Sequence, residues 1–155
     1  MSDAAPGELP HDPPDLESEW SARYLHGLRC FDAGDFHEAH EQIEEVWSGE
    51  VGARRHLLQA LIQLAVALHH RDRFNFGGAL TLCERAQEHL AAVTGETCFI
   101  DPKALAERIT AIEREIIAQR MAPAPTFAAE LVPDFSPVRA RIEAGRRSRG
   151  LAAFD

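Results

Sequence analysis

Two side chains near the middle of the chain are of a kind, and at a spacing, that can do chemistry. His40 and Glu44 stand four residues apart in 36–47, a segment with the apolar repeat of an amphipathic helix. With Phe36 set at 0° and about 100° per residue, Trp47 falls at about 20°, His40 at about 40° and Glu44 at about 80°. His40 therefore lies inside the apolar stripe and Glu44 on its shoulder. An i,i+4 pair of His and Glu on one face can share a hydrogen bond or chelate one ion.

The next apolar segment offers partners. Gln59, Gln63 and His70 form the one polar seam on a stretch otherwise made of Leu, Ile, Val and Ala, while His69 lies about 100° round from His70. Buried polar groups need partners, so two arrangements stay open. In the first, His40, Glu44, Trp47, Gln59, Gln63 and His70 form a satisfied polar cluster that locks two helices together. In the second, a divalent transition metal sits on His40 and Glu44, with His37, Glu41, His69 and His70 as candidates for the remaining ligands. His40-Glu41-x-x-Glu44 resembles a zinc-protease HExxH motif with its second His replaced. Glu41, however, points about 100° away from His40, and no third-ligand motif follows. Cys30 and Cys83 read as buried, inert thiols, and Gly77-Gly78 as a close helix contact, not a phosphate loop.

The elements that must position these residues are all helical. Trp20, Tyr24, Leu28 and Phe31 mark a first helix stopped by Gly34. Asp35 caps a second helix over 36–47, with Glu38 completing a capping box. Gly49 and Gly52 separate it from a third, over about 53–73, apolar around most of its circumference and so the central element. Asn75 caps a fourth that ends near Gly95. Asp101-Pro102 opens a fifth, on the stripe Leu105, Ile109, Ile112 and Ile116. The expected fold is all-α, a five-helix bundle over residues 16–120 of stacked antiparallel hairpins with tetratricopeptide-like packing. A flexible Pro-rich arm over 1–15 precedes it. A Pro/Arg-rich tail over 121–155, with one short helix, follows it. Phe36-x-x-Ala39 with Glu44 recurs forty residues on as Phe76-x-x-Ala79 with Glu84, which supports stacked hairpins without establishing that repeat family.

Residues 34–47, GDFHEAHEQIEEVW, resemble the signature of a widespread prokaryotic family, domain-of-unknown-function family 309. Its hallmark is His, three residues, Glu, two residues, then Trp or Tyr, here His40, Glu44 and Trp47. LLQALIQLAVALHH at 57–70 and NFGGAL at 75–80 are similar to the family's second and third blocks. The resemblance runs over about 25–93. It implies a small helical bundle whose activity is not established, with a suggestion that the His/Glu motif binds metal.

Composition narrows the function classes. The 155 residues carry 16 Lys+Arg against 25 Asp+Glu, a formal charge of −9, which argues against a nucleic-acid partner for the bundle. The acid excess is densest around His40: between Arg29 and Arg54 no Lys or Arg occurs, whereas the tail from Arg139 on is locally basic. Three cysteines without CxxC spacing and no signal-peptide pattern point to a reducing cytoplasm. The longest apolar run, within 57–68, is broken by Gln59 and Gln63 and is too short to span a bilayer. Two functions remain. One is an interaction or structural module that binds a protein partner or itself, for example through the tail at 127–135. The other is a metal-dependent, hydrolase-like enzyme using His40 and Glu44.

Overall fold

The computed structural model describes residues 18–151 and is all-helical. Six α-helices follow one another: α1 (Ser18–Asp32), α2 (Phe36–Trp47), α3 (Gly52–Asp72), α4 (Phe76–Leu90), α5 (Pro102–Gln119) and α6 (Ser136–Ser148). A single 3-10 turn, Ala129–Leu131, precedes α6. The described residues hold no strand, only an isolated bridge between Thr97 and Ile100. Five helices fall within the expected bundle and α6 lies in the expected tail, while α4 stops at Leu90, short of Gly95. The expected arm over 1–15 lies outside the described residues.

Each helix packs on the next, from α1 to α5; α3 also touches α5, and α6 returns to α1. Two of the connections are the same turn forty residues apart. After α1 the Asp35 N–H bonds to the Cys30 carbonyl and the Gly34 N–H to that of Phe31. After α3 the Asn75 N–H bonds to His70 and the Phe74 N–H to Arg71. This is the Schellman pattern, which needs a left-handed residue at its corner. Gly34 supplies it at φ 82°, and Phe74 adopts it at φ 62° despite its side chain. The residue that closes each turn also opens the next helix: Asp35 accepts from the Glu38 N–H and Asn75 from the Gly78 N–H.

Helix α3 is central, with Leu57, Leu58, Leu61, Leu64 and Leu68 fully buried. Around it lie Tyr24, Leu28 and Phe31 of α1, Ile43 of α2, Ala79 and Cys83 of α4, and Ile109, Ile112 and Ile116 of α5. Gly27 lets α1 and α2 approach closely, since a Cβ there would meet Ile43 Cγ1 at 2.7 Å. The C-terminal segment joins the same core: Phe135 and Ile142 are buried, and the Phe135 ring meets Phe31 edge-on at 5.0 Å. No helix among the described residues is long and apolar enough to cross a membrane.

Candidate functional site

Helix α2 displays the motif residues as a graded strip, in the order that helical rotation dictates. Ile43 and Val46 face the core, Trp47 and His40 are half-buried, and Glu44 and His37 are exposed. Glu44, expected on the inner shoulder, thus stands in solvent. Burial ends between about 40° and 80° from Phe36, because α3 covers a narrower arc of α2 than the apolar pattern alone suggests.

The histidines form a chain of ring contacts. His37 lies 5.3 Å from His40 and 5.7 Å from His69 across to α3, and His69 lies 6.3 Å from His70. His40 Nδ1 is 2.7 Å from the His37 carbonyl oxygen. A carbonyl only accepts, so Nδ1 carries the proton and neutral His40 keeps its lone pair on Nε2. His37 Nε2 is 3.7 Å from Glu41 Oε2, one turn along. His70 serves the other hairpin: Asn75 Nδ2 donates to its Nδ1 at 3.1 Å, beside the α4 cap.

At the far end of the strip the Arg55 guanidinium lies 4.0 Å above the Trp47 ring, a cation–π stack. The indole Nε1 of Trp47 is buried without a hydrogen-bond partner, and so is Gln63 Oε1. No hydrogen bond joins His40, Glu44, Gln59 and Gln63 to one another among the described residues. Nor do three or more His, Cys, Asp or Glu among the described residues gather as a group that could hold a metal ion. The donor set therefore does not fit a resident metal as it stands. Cys30 and Cys83 are held as thiols: burial, with Glu113 adding, pushes Cys83 up to about 12, and burial with Asp35 and Glu38 nearby raises Cys30.

A second histidine pair escaped the sequence reading. His56 of α3 and His89 of α4 meet with Nδ1 atoms 3.0 Å apart. Burial, with His56 adding, holds His89 below its ordinary value, while Glu88 opposes. The signal was available in the α3–α4 hairpin, since both positions lie about equally far from its turn.

Fold and site together define a small all-α protein of successively packed helices that carries a His-rich, acid-rich strip on its second helix. Residues 24–82 match the model of a family described as Domain of unknown function (DUF309), and this segment, which contains His40, Glu44 and Trp47, belongs to it. No curated protein and no solved structure matches the chain.

Proposed function

We propose that this chain is an interaction module, a tetratricopeptide-like stack of helical hairpins whose α2 strip docks a protein partner or a second copy of the chain. The observation that supports this reading is Trp47. It is half-exposed on the α2 strip, and the Arg55 guanidinium stacks on its ring. Trp and Arg are the side chains that most often anchor protein interfaces. Glu44 and Glu45 stand exposed beside it without an ion-pair partner among the described residues, on a helix that lacks Lys and Arg. The partner surface is therefore basic. The test places a photo-crosslinking amino acid at position 45 in the producing cell. A discrete adduct that disappears on Glu44→Arg or in high salt, with the melting temperature unchanged, is the expected result. An absence of any adduct, together with a monomeric mass in solution, would overturn the reading.

The chain of imidazoles from His40 through His37 to His69 favours a second reading, a divalent transition metal. The ion would have to draw these rings together, with His40 offering Nε2 and Glu41 or Glu44 a carboxylate oxygen. Elemental analysis of untagged protein after metal supplementation decides it. Stoichiometric metal lost on His40→Ala supports the site, and less than about a tenth of an equivalent rejects it.

A further inference from the structure

Away from the α2 strip, a cavity of about 440 Å³ opens where the α1–α2 turn, the end of α3 and the segment 127–134 meet. Phe31, Phe36 and Phe127 line it, together with Arg71, Asp32 and Asp134. A volume of about this size accommodates a molecule of one or two rings.

Arg71 is the unusual wall. It is only 7% exposed, and its guanidinium lies 4.8 Å from the Phe127 ring centroid. Its Nε and Nη2 both donate to Asp72 Oδ1, at 3.1 and 2.9 Å. Its Nη1 is buried with no hydrogen-bond partner. Asp32 is already engaged, accepting from the Phe135 N–H and pairing with Arg139 at 2.9 Å. A buried guanidinium N–H without an acceptor is costly, and an acceptor oxygen that reached it from the cavity would relieve that cost. Asp72 already balances the charge of Arg71, so a partner there must bring an acceptor oxygen and need not bring a full counter-charge. A cationic ligand would leave Nη1 unsatisfied.

We infer that this cavity binds a small aromatic molecule bearing one carboxylate or carbonyl oxygen, its ring among the phenylalanines and its oxygen on Arg71 Nη1. This site stands independently of the docking function of α2. Titration of the full chain with benzoate, benzamide and benzylamine, followed by amide NMR, tests it. Saturable shifts of Ala33, Gly34 and Ala129 with benzoate or benzamide at about millimolar concentration are expected, and none with benzylamine. The stronger of the two tells whether the natural ligand is an acid or a neutral carbonyl compound. Arg71→Lys keeps the charge beside Asp72 but loses the planar donor, so affinity falls at least about tenfold. If that variant fails to fold, Phe127→Leu, which removes a ring of the wall, replaces it with an expected loss of about threefold. Three results overturn the inference: no saturable shift with either acceptor, as when Nη1 meets only water; equal binding of benzylamine; or affinity unchanged in the variants.

Discussion

His56 and His89 share one proton between two facing nitrogens, because two Nδ1 atoms 3.0 Å apart require one donor and one acceptor. Protonating the acceptor nitrogen would set one imidazolium with its N–H against the partner's N–H in a half-buried place. In the folded chain burial, with His56 adding, holds His89 below its ordinary value of 6.5, against Glu88. The unfolded chain takes up the proton first as pH falls, so this contribution is complete above about 6.5 and is lost as pH drops through the folded value. Melting temperatures between pH 7.5 and 5 should decline, and His89→Gln, which cannot titrate, should flatten part of that decline. An identical slope in the variant would show that the pair does not control it. His40 is a contrasting case: its Nδ1 proton is committed to a carbonyl of its own turn, which fixes the tautomer while leaving Nε2 open.

The two hairpin turns show how local chemistry sets an element. Gly34 and Phe74 occupy the same left-handed corner, at φ 82° and 62°, and a side chain there costs about 1–2 kcal/mol. A Cβ at Gly34 would meet nothing within 4 Å, so Gly34→Ala loses that backbone term alone. Gly77 sits inside α4, also with open space around it, and Gly77→Ala is expected to stabilise by about 0.5–1 kcal/mol. Chemical denaturation of both variants checks the opposite signs. Much of this level could be read from residues alone. Asp35, Asn75 and Asp101 are the caps of α2, α4 and α5, and the apolar stripes name the buried faces. What escaped was the width of the covered arc on α2, which decides that Glu44 is exposed and depends on how α3 crosses it. The left-handed Phe74 and the turn Thr97–Ile100, with Cys98 and Phe99 both at positive φ, also escaped. Burial of the Cys98 and Phe99 side chains and the Tyr24 hydroxyl donated to the Cys98 carbonyl hold the Thr97–Ile100 turn, and such tertiary support has no local signal.

Across the whole molecule, the composition change near residue 121 and the packing point in different directions. Pro and Arg enrichment suggests a tail, yet α6 lies on α1 and its contacts reach far back along the chain. Arg146 is buried and donates to Ser21 Oγ at 2.6 Å, Arg139 pairs with Asp32, and Arg141 holds Glu96 with two hydrogen bonds. Phe135 and Ile142 add apolar burial against Phe31 and its neighbours, each worth about 1.5–3 kcal/mol. Arg71 and Phe127 bind the intervening segment to α3, so the same segment that completes the core also closes one wall of the cavity. A chain ending at Arg120 would expose Phe31 and leave Asp32 and Ser21 without these partners. The apolar term alone, about 3–6 kcal/mol, is a large share of the stability of a domain of this size. The truncated chain is therefore expected to melt at least about 10 °C lower, with a broadened transition and binding of a hydrophobic dye. A sharp transition within a few degrees of the full chain would instead make residues 18–120 a self-sufficient bundle and α6 an accessory to it.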